Sequence, residues 1–192
     1  MMKRFSMTMI AAALAVLTTA AGAAEKNLFK NPAFKKLNPK SPNEFTWWVA
    51  RETTAKYVRI AGEKKGNDTI KIVTSDRPKD AKDYNANYGN ISQNLPMPAP
   101  GKYRVSITMK CDRTLQTVRI FYGMIGKDKK AKFRVVRDFS ALDQPSPEEW
   151  EELSAELDLD GTGYEKLAIG FGVIDTKAAE VLFKAPKLVR IE

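Results

Sequence analysis

The chain of 192 residues contains no histidine. That single absence removes His general bases, Ser-His-Asp and Cys-His nucleophilic triads, and His-ligated zinc. There is one cysteine, Cys111. No internal disulfide can form, so packing alone must stabilise the fold. Cys111 ends an apolar stripe, where a small buried hydrophobe is the expected reading rather than a reactive or dimer-forming thiol. Long uncharged runs are missing except at the start. Residues 5–24 carry no charge, follow Lys3 and Arg4, and end in Ala20-Ala21-Gly22-Ala23-Ala24. A basic start, an apolar middle and small residues at the end predict a cleaved secretory signal over 1–24. The expected location is therefore periplasmic or extracellular, and no later run is long and apolar enough to span a membrane. Long helical periodicity is also missing. Gly161-Thr162-Gly163 leads to Lys166 rather than into a dinucleotide fingerprint, and no cofactor is expected.

Acidic residues are the minority. The chain has 32 Lys and Arg against 23 Asp and Glu, a net charge of +9. Loss of Lys3 and Arg4 with the signal would take the 32 cations to 30 and the net charge to +7. That balance permits attraction to anionic polymers or membrane surfaces. A nucleic-acid partner is not expected. The remaining length, 192 less 24, suits a single domain over 25–192 that buries ~70% of its unfolded surface.

What the chain does have is alternation. In 100–111, Tyr103, Val105, Ile107, Met109 and Cys111 alternate with Arg104, Ser106, Thr108 and Lys110 behind a Pro100-Gly101 turn. A period of two over that length predicts a strand with one buried and one wet face. Shorter alternating runs occur at 44–51, 56–61, 69–74, 88–95, 117–125, 132–139, 153–159, 166–174 and 180–191, and a short strand and turn at 27–34. Gly-, Pro-, Asn- and Asp-rich turns separate them. Ser146-Pro147-Glu148-Glu149 predicts a helix start of a turn or two. Many short alternating strands without long helices predict an all-β antiparallel sandwich.

Several clusters could carry binding chemistry. Trp47 shares its face with Phe45 and Val49 and is assigned to the core; Trp48 shares the other face with Thr46 and Ala50. Trp48 is either an exposed stacking platform or a ring covered by a loop. Tyr84, Asn85, Asn87 and Tyr88 place aromatics beside amides that can both donate to and accept from paired hydroxyls, or else form an Asn-rich turn anchored by its tyrosines. Arg119 and Phe121 share the face opposite Val118, Ile120 and Tyr122, while Gly170 and Gly172 interrupt an apolar strand in the same way. Bare backbone beside an Arg and an aromatic could floor a concave groove. Lys127, Lys129, Lys130 and Lys132 make a basic hairpin tip, either a solvated turn or a docking point for acidic polymer. Asp158-Leu159-Asp160-Gly161 lacks the later ligands of a calcium loop and reads as a tight turn. Glu148, Glu149, Glu151 and Glu152 are sequence neighbours, whereas glycosidase acids face each other across a cleft. No catalytic residues are assigned.

The chain also resembles jelly-roll carbohydrate-binding modules of the type attached to cellulases and xylanases. The resemblance rests on Asn27-Leu28-Phe29-Lys30-Asn31-Pro32-Ala33-Phe34, on the Trp pair after it, and on Gly89-Asn90-Ile91-Ser92-Gln93-Asn94-Leu95 leading into Pro100-Gly101-Lys102-Tyr103-Arg104-Val105. Trp150, Gly161-Thr162-Gly163-Tyr164 and a closing Phe183…Lys187-Leu188-Val189 also fit. It implies a galactose-binding-like jelly roll of about eight strands and glycan binding without catalysis. Many such modules hold a calcium between carboxylates near the opening strand and near the end. Here those neighbourhoods read Phe34-Lys35-Lys36 and Lys184-Ala185-Pro186, with cations in place of carboxylates, so no metal is expected.

The expectation is thus a secreted, non-catalytic protein that recognises a poly- or oligosaccharide through Trp48, Tyr84, Asn85, Asn87, Tyr88, Arg119 and Phe121. Two alternatives stay open: an envelope or extracellular structural or protein-interaction sandwich without a sugar site, and a basic module that binds anionic polymers by charge. The fold alone does not choose among them.

Overall fold

A computed structural model describes residues 26–34, 47–49, 55–62, 68–76, 88–129 and 131–192. The described strands are β1 (Trp47–Val49), β2 (Lys56–Ile60), β3 (Thr69–Val73), β4 (Tyr88–Pro96), β5 (Gly101–Cys111), β6 (Thr117–Gly126), β7 (Ala131–Phe139), β8 (Glu151–Leu159), β9 (Tyr164–Ile174) and β10 (Glu180–Arg190). They form two five-stranded sheets, ordered β1-β4-β9-β6-β7 and β2-β3-β10-β5-β8. Every described pairing is antiparallel. The expected jelly-roll β-sandwich is therefore the fold, with short edge strands β1 and β2 bringing the described number to ten. No described helix is long and apolar enough to cross a membrane.

The inner faces follow the period of two. Tyr103, Val105, Ile107, Met109 and Cys111 of β5 are buried, and Arg104 between them is exposed. From the other sheet come Ile91 and Leu95 of β4, Val118 and Ile120 of β6, and Leu167, Ile169, Phe171 and Val173 of β9. Trp47 anchors one end of this core at 0% exposure. Its ring packs 4.8 Å from that of Phe34 and 5.1 Å from that of Phe29, and its indole N–H donates to the Asn31 carbonyl at 2.6 Å. A buried indole needs such a partner for its one polar group. Gln93 is the polar exception in the apolar row of β4, fully buried, with its side-chain oxygen accepting from the Lys30 backbone N–H at 3.0 Å.

Two local expectations change. Residues 27–30 do not form a regular strand. The Asn27 amide instead ties them to β10, accepting from the Leu188 N–H at 3.0 Å and donating to the Pro186 carbonyl at 3.0 Å. The helix start at Ser146-Pro147 does not continue either, because Glu148 has φ +70° and its N–H donates to the Cys111 carbonyl at 2.8 Å. A left-handed residue at that point ends any helical path. The short 3₁₀ turn lies earlier, at Ala141–Asp143, where Asp143 accepts from both the N–H and the hydroxyl of Ser140.

Candidate functional site

The outer face of the first sheet carries an open cleft of about 480 Å³. Its shape follows from register. One cross-sheet row runs Asn90–Gly172–Arg119–Asp138, the next Ser92–Gly170–Phe121–Val135, and the third Asn94–Ala168–Gly123–Phe133. Gly172, Gly170 and Ala168 of β9 run through the middle of the rows, so no large side chain rises from that strand and the neighbouring Phe121 ring lies over Gly170. Side chains of β4 and β7 stand at the flanks.

The rings use the bare backbone. A Cβ on Gly170 would stand 2.6 Å from Cζ of Phe121, and one on Gly123 would stand 2.7 Å from the ring of Phe133. The two rings meet edge to face, with centroids 6.2 Å apart at 63°. Phe121 is 9% exposed and lies in the floor, while Phe133 is 61% exposed and forms the wall.

Phe133 reaches this face because of a β-bulge. Strict alternation would put Phe133, Val135, Arg137 and Phe139 on one side of β7. The register against β6 shifts between Ile120 and Phe121, whose partners are Arg137 and Val135, which leaves Val136 as the extra residue. Phe139 is therefore buried in the core while Phe133 and Val135 turn outward. An inserted residue reverses the facing of everything beyond it.

Polar groups border the rings. Arg119 donates from Nε and Nη2 to the Asp138 carboxylate at 2.7 and 2.8 Å, which fixes its guanidinium beside the cleft. Asn90 is 8% exposed, and its side-chain oxygen has no hydrogen-bond partner among the described residues. A buried acceptor gains by meeting a donor. Asn94, Ser92 and Arg134 complete the polar lining; among the described residues no carboxylate is in that lining, and the Asp138 carboxylate stands next to it, bonded to Arg119.

Of the residues singled out in the sequence, Arg119 and Phe121 come together in the cleft above Gly172 and Gly170. Trp48 pairs with Ser92, so its backbone extends the Phe121 row onto β1. Tyr88 begins β4, opposite Ile174. The side chains of Trp48 and Tyr88, and all of Tyr84, Asn85 and Asn87, lie outside the described residues. Phe133, Arg134, Val135, Asn90, Ser92 and Asn94 are lining residues that the sequence reading did not select. The Asn90, Ser92, Asn94 alternation against Ile91, Gln93 and Leu95 would have signalled the β4 wall; nothing in the sequence marks the β7 bulge.

The carboxyl groups whose titration the fold shifts lie outside the cleft. Burial would raise the Asp175 carboxyl, but bonds from Arg113 and from the backbone N–H groups of Lys177 and Gln116 outweigh it and hold the carboxyl below the usual range. Asp143 is held low by the Ser140 hydroxyl and N–H, and Glu156 by Arg104 and then Lys102. None of the three lines the cleft. Of the glutamates around Trp150, Glu148 pairs with Lys110 and Glu152 with Lys187, away from the cleft. No group of three or more potential metal ligands occurs among the described residues.

No protein-family profile matches the chain, and no curated protein sequence does. Solved structures do. A CBM4 carbohydrate-binding module matches with a TM-score of 0.56 at 13% identity, over 85% of this chain and 99% of that one. The CBM22-1 xylan-binding domain from Paenibacillus barcinonensis Xyn10C matches with a TM-score of 0.54 at 11% identity, over 90% and 99%. The enzymatically active domain of bacteriophage CBA120 tailspike protein 4 matches with a TM-score of 0.55 at 9% identity, over 86% of this chain but only 21% of that one. At these identities the shared property is the fold, the β-sandwich of carbohydrate-binding modules.

Proposed function

We propose that this is a secreted, non-catalytic carbohydrate-binding protein whose outer cleft takes a short stretch of a poly- or oligosaccharide. The observation that carries the reading is the pairing of Phe121 and Phe133 over bare backbone with Asn90, Ser92, Asn94 and Arg119 around them. A pyranose ring has an apolar C–H face and a hydroxyl rim. An aromatic floor accepts the first, and amides and guanidinium groups bond the second. Among the described residues the lining offers amides, a hydroxyl and a guanidinium, which suit binding, and no pair of opposed acids of the kind glycoside hydrolysis uses. The fold shared with carbohydrate-binding modules supports the same reading.

In this reading Trp48 supplies a third ring at the far end of the Phe121 row. The two residues sit on β1 and β6, three strand spacings apart, roughly 14 Å. Such a span fits a chain of linked sugars better than one monosaccharide. Tyr84, Asn85, Asn87 and Tyr88, which shortly precede Asn90 in the chain, would add further aromatic and amide contacts. Residues 1–24 direct export, and 25–192 act as one domain.

A glycan array read at two salt concentrations tests the proposal, followed by titration of the best ligand against Phe121→Ala and Phe133→Ala. Binding to an oligosaccharide that either variant weakens supports it. No binding to any glycan, or binding that both variants leave unchanged, refutes the site.

A further inference from the structure

β7 is the open edge of the first sheet, paired with β6 on one side. Charge and apolar surface both concentrate there. Of the nine residues 126–134, five are Lys or Arg and one is Asp, a net +4 of the chain's total of +9. Lys127, Lys129, Lys132 and Arg134 are exposed, and their side chains make no hydrogen bond or ion pair among the described residues. The outer face of the second sheet is the contrast: there Lys71, Lys102, Arg104, Lys110 and Lys187 each pair with a glutamate. Paired charges largely cancel at a distance, whereas the hairpin cations add to one another. The two faces of β7 differ in chemistry. Lys132 and Arg134 pair with Met124 and Tyr122 and stand on one face; Phe133 and Val135 pair with Gly123 and Phe121 and stand on the other. Phe133 is 61% exposed and Val135 48%, and Leu142, just past the strand, is 98% exposed. At a free edge both faces border the same solvent, so a surface that approaches edge-on meets the cations and the apolar groups together.

We infer that the β6–β7 hairpin and the β7 edge dock on an anionic phospholipid surface. Charge complementarity sets the sign of the partner. Phosphate headgroups attract the hairpin cations, with a gain of about fivefold in binding for each Lys or Arg near the surface. The apolar residues favour a bilayer over a soluble polyanion. Phe133, Val135 and Leu142 gain by entering the boundary between headgroups and acyl chains, whereas a hydrated polymer leaves them in water. Charge on an exposed edge strand also opposes edge-to-edge pairing. That role accepts charge of either sign, and an exposed phenylalanine works against it. The inference makes no use of the cleft as a glycan site, so either reading can fail without the other. Phe133 belongs to both surfaces, so the lysines carry the main test.

The mature protein is sedimented with vesicles of phosphatidylcholine alone and with vesicles in which about a third of the lipid is phosphatidylglycerol, at low and moderate salt. Inorganic polyphosphate serves as a soluble polyanion without a bilayer. The expected result is binding to the anionic vesicles that is about tenfold or more tighter than to phosphatidylcholine and that weakens as salt rises. Lys127→Ala, Lys129→Ala and Lys132→Ala combined should lose about a hundredfold, the product of three such cations. Lys26→Ala, Lys56→Ala and Lys177→Ala combined lower the net charge equally and should lose far less. Phe133→Ala should weaken vesicle binding and leave polyphosphate binding unchanged. No binding to anionic vesicles, or equal binding to phosphatidylcholine, overturns the inference. Equal losses in the two triple variants overturn it as well, since net charge and not the hairpin would then be responsible. Polyphosphate binding as tight as vesicle binding, with Phe133→Ala silent on vesicles, makes a soluble polyanion the occupant and overturns the bilayer. Thermal midpoints of each variant exclude unfolding as the cause of a loss.

Discussion

Cζ of Phe121 lies so near Gly170 that a Cβ on residue 170 would stand 2.6 Å from it and 2.8 Å from the Ser92 Cβ. The same Cβ would also press on the Ile91 backbone carbonyl. The flat floor of the cleft therefore depends on a missing side chain. Gly170→Ala is expected to lift the Phe121 ring and strain β4, costing about 1–3 kcal/mol of stability as overpacking does. Thermal unfolding measures the cost, and an unchanged midpoint would mean that the strands part without strain.

The rings should matter for affinity more than for folding. Phe133→Ala removes an exposed ring, so the midpoint should move little while binding of the best glycan weakens by about 1–3 kcal/mol. Phe121→Ala should weaken binding at least as much and also lower the midpoint, because this ring is 9% exposed. Parallel calorimetry and ligand titration separate the two, and equal stability losses would contradict the division into floor and wall.

Successive tryptophans provide a second paired test. Trp47 is fully buried with its N–H bonded to Asn31, so Trp47→Ala should cost about 3–5 kcal/mol. Trp48→Ala should leave the midpoint nearly unchanged and weaken binding, as the Ser92–Gly170–Phe121 row proposes. A harmless Trp47→Ala with an unfolding Trp48→Ala would invert the facing.

Cys111 is buried and unpaired at 1% exposure. Burial first of all pushes its thiol pKa up, which reduces the thiolate that reacts. Native protein should label slowly with a thiol reagent and rapidly once denatured. Fast native labelling would place the thiol outside the core.

Asp175 gives a pH signature. The carboxylate joins two loops by accepting from the Gln116 N–H at 2.8 Å, the Lys177 N–H at 2.9 Å and Arg113 Nη1 at 3.1 Å. Its folded pKa lies below the ordinary value despite burial. The stability it contributes is thus complete above the usual aspartate range, near 3.9, and is lost as pH falls through the lower folded value. Asp175→Ala should cost about 1–3 kcal/mol at neutral pH and flatten the fall of the midpoint below about pH 4. An identical acid slope in the variant would assign that slope to other carboxylates.

Much of the fold was legible because a period of two is a local property. The buried residues of β5 and β9 could be read one by one, and so could Trp47. Turn chemistry at Gly161 and Pro100-Gly101 bounded the strands correctly. The failures were also physical. Ser146-Pro147-Glu148 has the chemistry of a helix start, but the tertiary bond from the Glu148 N–H to Cys111 holds a left-handed turn instead. The opening segment looked like a strand because its apolar residues are buried, yet the side chain of Asn27 and a single backbone bond from the Leu28 N–H to the Leu188 carbonyl, rather than a full ladder, fasten it.

The candidate site divides in the same manner. Arg119, Phe121, Gly170 and Gly172 could be put on outward faces from alternation within each strand, because each strand is regular there. Which strands are neighbours is not encoded in any local pattern, since it depends on how two sheets close over a shared core. Only the order β4-β9-β6-β7 brings Asn90 to Gly172 and Arg119, and Ser92 to Gly170 and Phe121. The bulge at Val136 is the clearest case. By itself the sequence determined an antiparallel sandwich with an apolar interior, and it offered a glycine-floored outer face as one option. The tertiary structure decided that Phe139 enters the core while Phe133 and Val135 turn out to wall the cleft. One inserted residue reverses side-chain facing, and that insertion exists only in the pairing of β7 with β6.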